Sequence, residues 1–370
     1  MARTYLRRLV KESVASAALY LGANMAFRAC LHRRLLILCY HGVVEDAQAQ
    51  NPVKNRNAIG ITEFKRQMIE LKRLFVPIRA SDLRDWQKGN ALMPNNAALV
   101  TFDDGYRNNL TRAAPVLRSL GIPALINISV GYIGQQRILW PDEIYRRVAF
   151  WPHRFIPLPA GRGQKPIPVA LSERLALAGH LRESCKRLSQ EQLTCYLTEL
   201  REAKIPECNN EVFGFLSWEE VRTLKQMGFE IGSHTVNHPI LTKLRWEELD
   251  RELTNSKRSI EDQTECECSY FAYPNGGPDD VLPEVVERIR SAGYSFAFTV
   301  MNRRASADDD PLLLDRVYIP GGISMADFRS RISGFHGVLK RVVGSLRQSV
   351  LTGTGRMRLS LPDDATGVPQ

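Results

Sequence analysis

The sequence predicts an α/β protein built on a parallel sheet or barrel. Three observations point there. Seven short apolar runs, at 35–40, 97–102, 124–130, 229–233, 270–273, 295–299 and 316–319, are rich in strand-forming residues. Most lack strict alternation, as strands buried on both faces do. Helical patterns fall between them, which is the rhythm of parallel strands with crossover helices.

Each element has a local cause. Residues 110–120 place Leu110, Ala113, Ala114, Leu117 and Leu120 on one helical face, and Gly121 follows as a stop. Residues 217–227 open with Ser217-Trp218-Glu219-Glu220, the spacing of a capping box, and end at Gly228. Residues 137–212 break the rhythm and read as an insertion over one end of the domain. Five prolines in the stretch from Trp151 to Pro168 inclusive predict irregular loop, and 171–203 reads as helical. No internal repeat is visible.

The chain has 370 residues, 44% hydrophobic and 24% charged, ordinary globular values that exclude a disordered chain and a polytopic membrane protein. The net charge of +10 gathers at the ends. Residues 1–40 carry seven Lys and Arg against Glu12, and 336–370 carry five against two Asp. A nucleic-acid binder spreads basic charge over a folded face, so no nucleic-acid partner is expected. Leu6, Val10, Val14, Ala17, Leu21 and Met25 share one helical face beside Arg3, Arg7 and Lys11. This predicts a basic amphipathic helix over 1–34. It either touches an anionic membrane surface through residues 1–30 or packs on the domain; an uncleaved signal anchor is a third reading. Residues 336–370 read as a basic, partly disordered tail. Seven cysteines, an odd number without a C-x-x-C pair, predict free thiols and a cytoplasmic location, peripheral at the inner face of the membrane if the helix binds there.

Three clusters follow predicted strands, at the edge where parallel α/β folds bind ligands. The first is Thr101-Phe102-Asp103-Asp104-Gly105-Tyr106. Adjacent acids leaving a buried strand are costly unless solvated, paired or bound to a cation. Their side chains diverge, so one can hold a metal while the other faces a reacting water; an ordinary solvated turn is the bland alternative. The second is His234-Thr235-Val236-Asn237-His238-Pro239, where two imidazoles four apart can meet one ion. The third is Tyr270 to Gly277, a strand running into a Pro274-Asn275-Gly276 turn. Asp, His, His and a spare Asp suit zinc or a similar divalent cation with one position open, the arrangement of catalytic sites. Such a site lowers the pKa of water to about 7, which is hydrolysis chemistry.

These motifs resemble the polysaccharide deacetylases of carbohydrate esterase family 4, the NodB homology fold. T-F-D-D-G resembles the first family motif and H-T-V-N-H-P the second. F-A-Y-P-N-G resembles the third motif in the exopolysaccharide-associated branch. Cys39-Tyr40-His41-Gly42 resembles the segment that opens many of these domains. The similarity spans 35–335. It implies a distorted (β/α)7 barrel, here with the helical insertion at 137–212, and metal-dependent removal of acetyl groups from N-acetylated sugars of a polysaccharide or glycolipid intermediate, giving acetate and an amine. By position it implies Asp103 as general base and Asp104, His234 and His238 as ligands of a divalent metal, with zinc first. The oxyanion would meet the metal and a backbone N–H near Tyr273 and Pro274.

The pattern has two gaps. Many relatives carry an Arg in the third motif where this chain has Ala272; Arg316 is the candidate substitute, or else a structural partner of Asp315. The late Leu-x-His motif that supplies the acid is absent. His41 is expected near the site, while His336 lies near the motif's place in the wrong context. Trp140 is expected to face substrate, Tyr106 is a further aromatic candidate, and Trp218 is expected to pack. A catalytically weak or inactive barrel that binds glycan is the alternative function, and a non-sugar amidase a third.

Overall fold

The structure is a computed structural model; it describes Ser13, Ala17 and residues 22–53, 57–89, 93–207 and 210–336. Seven parallel strands form the barrel: β1 Leu36–Tyr40, β2 Ala97–Phe102, β3 Ala124–Ile128, β4 Glu230–Ser233, β5 Tyr270–Ala272, β6 Phe296–Thr299, and β7, split as Leu314–Asp315 and Val317–Tyr318. Each pairs with its neighbour in sequence. β7 closes the ring: its first half lies on β6, with Thr299 opposite Asp315, and its second half on β1, with Leu38 opposite Val317. Arg316 stands at the junction. All seven expected strands are present, and the fold is the distorted (β/α)7 barrel. A two-residue strand, Val76–Pro77, extends the sheet beside the start of β2.

Burial on both faces explains the unalternating runs. Every residue of β1, β2 and β3 is buried. One face fills the barrel interior, and the other meets helices that include α2 Ile61–Leu74, α3 Ala114–Leu120 and α7 Trp218–Gln226. The capping box at Ser217 forms as its spacing demands: Glu220 N–H donates to Ser217 Oγ at 3.1 Å and Ser217 N–H to Glu220 Oε2 at 2.9 Å. Trp218 packs against the main core.

Between β3 and β4 the chain builds α4 Trp140–Ala149, α5 Leu171–Cys185 and α6 Gln190–Arg201. They share a second hydrophobic cluster that includes Ile144, Leu177, Leu181 and Tyr196. The stretch read as irregular loop instead holds an antiparallel ladder, Phe155–Pro157 on Gln164–Pro166. Its prolines are tolerated because neither strand has a further neighbour to bond. The region read as one helical stretch is two helices, interrupted where Ser189 caps the second.

At the N-terminus, α1 Ala23–Cys30 docks on α9 Met325–Ser333 and its exit. The Phe27 and Phe335 rings meet edge-on at 5.3 Å, and Ser333 Oγ donates to Asn24 at 2.8 Å. Met25, assigned to the apolar face, is exposed. The rest of the expected helix (1–21 apart from Ser13 and Ala17) and the tail beyond His336 lie outside the described residues, as does Cys208. The described cysteines are all free thiols. No helix among the described residues is long and apolar enough to cross a membrane.

Candidate active site

The C-terminal ends of the strands open on a cleft of about 570 Å³, lined by residues that include His41, Asp103, Asp104, His234, His238 and Tyr318. Asp103 and Asp104 leave β2 and diverge. Asp104 has φ of 76° and Gly105 of 83°. A Cβ at Gly105 would stand 3.0 Å from Ile128, so only glycine makes this exit without strain.

The His234 loop is pinned from below. Glu252, on α8 Trp246–Thr264, accepts from Val236 N–H at 2.7 Å, Asn237 N–H at 2.9 Å and Asn237 Nδ2 at 2.8 Å. His238 N–H donates to Thr235 Oγ1 at 2.9 Å. Thr235 and His238 both have positive φ, which this bonding holds in place. His234 Nδ1 lies 2.7 Å from the Ala272 carbonyl and must donate to it, so the Nε2 lone pair is free.

The result is a convergent triad. Asp104 Oδ1 lies 3.4 Å from His234 Nε2 and 3.5 Å from His238 Nε2. Ligands at 2.0–2.1 Å around a tetrahedral ion are separated by roughly 3.4 Å, so the spacing fits. Asp104 Oδ1 is buried and has no hydrogen-bond donor among the described residues. Burial alone would lower the His234 pKa, yet the Asp103 and Asp104 carboxylates raise it: the pit favours positive charge. Burial and His234 pull His238 down to about 4, leaving it the neutral imidazole a cation needs. These residues fit a divalent cation.

Asp103 faces differently. Its two oxygens each lie 2.7 Å from an Arg316 guanidinium nitrogen, a bidentate pair, and Asn127 Nδ2 donates to Oδ1 at 2.8 Å. Arg316 is 0% exposed and also donates to Thr299 O and Thr101 Oγ1. Burial would raise the Asp103 pKa, but Arg316 overrides it and holds the carboxyl well below its usual range. Arg316 therefore reaches Asp103 and not Asp315, which is held by Thr299 and Arg303. Cys39, His41 and Asp103 also approach one another. That group is no cation site, because the guanidinium already occupies both Asp103 oxygens.

His41 lines the cleft beside Tyr318, ring centroids 5.8 Å apart, with Nδ1 buried and unpartnered among the described residues. Burial lowers its pKa, so it is uncharged near neutrality. A π-helical turn, Asn109–Ala113, fixes it from behind: Asn109 Nδ2 donates to the His41 carbonyl at 2.6 Å.

Two expectations need correction. Trp140 is 5% exposed and packs in the core of the insertion, while its neighbours Pro141 and Asp142 reach the cleft. The Tyr273 N–H is committed to the Phe298 carbonyl at 3.2 Å and its hydroxyl to Leu312 O at 2.9 Å. Pro274 has no N–H, so neither residue offers a free donor. His336 pairs with Asp327 at 3.2 Å, outside the cleft. Sequence reasoning missed Asn275. It lines the cleft with φ of 61°, and its Nδ2 is buried without an acceptor among the described residues. A non-glycine residue between Pro274 and Gly276 was the available signal. Tyr106 does line the cleft and donates to Asp142 at 2.9 Å.

Residues 185–297 match the polysaccharide deacetylase family. The matched segment holds both histidines and the Tyr270–Gly277 turn. A 123-residue stretch, 32% of the chain, is 24% identical to the poly-β-1,6-N-acetyl-D-glucosamine N-deacetylase of Escherichia coli and spans 18% of that protein's length. Among solved structures, the deacetylase PplD of Streptococcus pyogenes, in complex with acetate, superposes with a TM-score of 0.53 at 16% identity, covering 81% of this chain and 98% of that one. IcaB of Ammonifex degensii gives 0.52 at 20%, covering 81% and 96%. These likenesses show that the deacetylase fold extends well beyond the matched segment.

Proposed function

We propose that the protein hydrolyses the acetamide of N-acetylated sugars in a polysaccharide or glycolipid intermediate, releasing acetate and leaving a free amine. The observation that carries this reading is the convergence of Asp104, His234 and His238 on one point beside an ion-paired Asp103. Asp104, His234 and His238 would hold a divalent cation, zinc by the chemistry of the donor set. When bound, the cation supplies a Lewis acid that acidifies water and polarises the amide carbonyl.

The remaining roles fall to the chain. Asp103 accepts the proton of the attacking water. A carboxylate held so far below its usual range is a weak base, sufficient only for water already acidified. Arg316 fixes its orientation. The water oxygen bonds to the acetyl carbon, and Asn275 Nδ2 donates to the oxygen on which charge develops. The C–N bond then breaks, and His41 delivers a proton to the departing nitrogen. Because burial lowers its pKa, His41 starts uncharged and takes up that proton within the turnover from the nearby Asp103 carboxyl, which returns to the carboxylate. Tyr318 offers an aromatic ring at the cleft for a pyranose, while the Tyr106 ring is stacked on Phe215. The free cysteines support the cytoplasmic reading made from the sequence.

Acetate release from N-acetylglucosamine oligosaccharides, with and without chelator, tests the proposal. The expected result is chelator-sensitive release, lost by roughly 10³-fold in Asp103→Asn. Oligosaccharide binding without acetate release would replace this reading with the glycan-binding one, which the missing Leu-x-His motif favours.

A further inference from the structure

The insertion carries a second unusual surface, away from the cleft. Residues 144–172 contain no Asp or Glu and five Lys or Arg: Arg146, Arg147, Arg154, Arg162 and Lys165. The same stretch holds four of the nine exposed large hydrophobic side chains among the described residues: Phe150 (41%), Phe155 (42%), Val169 (96%) and Leu171 (39%).

The fold gathers them. Arg174 donates to the carbonyls of Pro168 at 2.7 Å, Ala149 at 3.1 Å and Trp151 at 3.1 Å. One guanidinium thus ties the turn bearing Phe150 to the strand exit bearing Val169. The ladder sets Phe155 opposite Pro166, and the Arg154 guanidinium lies 5.5 Å from the Phe155 ring centroid. Phe155 is exposed while Ile156, on the opposite strand face, is buried. Arg146 and Arg147 turn inward, to the Pro206 carbonyl and to Glu143. Arg154, Arg162 and Lys165 remain exposed. Acids border this surface: Glu173 in the first turn of α5, and Glu199 and Glu202, which share a hollow with Arg154 and Phe155.

Exposed apolar side chains set among exposed cations, with Glu173, Glu199 and Glu202 at the margin, match a membrane interface. The apolar groups enter the headgroup layer while the cations meet lipid phosphates. A rim made for a protein partner would carry polar groups of both signs. We infer that the tip of the insertion, formed by Phe150, Phe155, Val169, Leu171, Arg154, Arg162 and Lys165, docks on the surface of an anionic lipid bilayer. This contact is separate from the one expected for residues 1–30. α5 begins at this surface and ends near Arg182 and Lys186 on the catalytic cleft, about 22 Å along its axis. The docked tip therefore holds the cleft near lipid-anchored glycan.

Sedimentation of the full chain with phosphatidylcholine vesicles, with and without phosphatidylglycerol, tests the inference. Two variants accompany the wild type. One combines Phe155→Ser, Val169→Ser and Leu171→Ser; the other combines Arg162→Glu and Lys165→Glu. All five positions are exposed, and thermal unfolding verifies that both variants fold. The expected result is binding of the wild type to phosphatidylglycerol vesicles only, with each variant weakened at least about tenfold. Unchanged binding of both variants would overturn the inference. So would absence of wild-type binding, or a wild-type dimer that the same substitutions dissociate.

Discussion

Asp103 in the barrel and Glu143 in the insertion are both buried carboxylates gripped by arginine. Asp103 takes both arms of Arg316 at 2.7 Å, while Glu143 takes Arg147 at 2.8 Å and Arg201 at 2.6 Å. Burial opposes ionisation of both, and their arginines lower both pKa values. What separates them is what else they face. Beside Asp103 lie Asp104, with a buried oxygen lacking a donor among the described residues, and imidazoles opening on a cleft. Glu143 ties α4 to the end of α6 and faces no such group. A displaced pKa therefore marks a buried charge, and only the company it keeps separates a reacting group from a brace.

The comparison is broken most forcibly at Arg316. Arg316→Ala strands Asp103 without its partner and is expected to cost about 3–5 kcal/mol of stability, together with most activity. Urea unfolding measures it, and a variant as stable as wild type would make Arg316 dispensable. Glu252→Ala is next. Loss of three hydrogen bonds to the His234 loop is expected to weaken metal affinity by roughly 10–100-fold with little change in secondary structure, as read by metal titration and circular dichroism.

How far these roles could be read beforehand depends on distance along the chain. The seven strands were legible because burial on both faces leaves unbroken apolar runs. Asp103, Asp104, His234 and His238 were legible as candidates because each sits within a short strand-exit motif. The Arg316–Asp103 pair joins residues 213 positions apart, and only closure of the ring by β7 brings them together. Glu252 looks like any helical acid, and its role depends on the loop above it. Trp140 was misplaced because a Trp-Pro step at the start of an insertion reads equally as rim or core.

The brace sharpens the same contrast. Glu143→Ala is expected to cost about 1.5 kcal/mol and to raise proteolysis within 137–212, while kcat on a short oligosaccharide holds. A fall in kcat as large as that of an Asp103 variant would erase the distinction between the two carboxylates. The smallest effect is a pH effect on the outer layer. Arg73 lowers the Glu70 pKa to about 2, burial opposes it, and Arg329 at 2.7 Å adds to the lowering. A depressed folded pKa gives stability that is full above the unfolded value of about 4.3 and fades as pH falls towards about 2. The difference in urea midpoint between wild type and Glu70→Gln should therefore shrink across that window; a constant difference would contradict the assignment.

The most direct measurement of the central claim is the metal content of three purified proteins: wild type, Asp103→Asn, and His234→Ala combined with His238→Ala. The account predicts one divalent ion per chain in the first two and none in the third. An ion retained without the histidines, or lost with Asp103 alone, would contradict it.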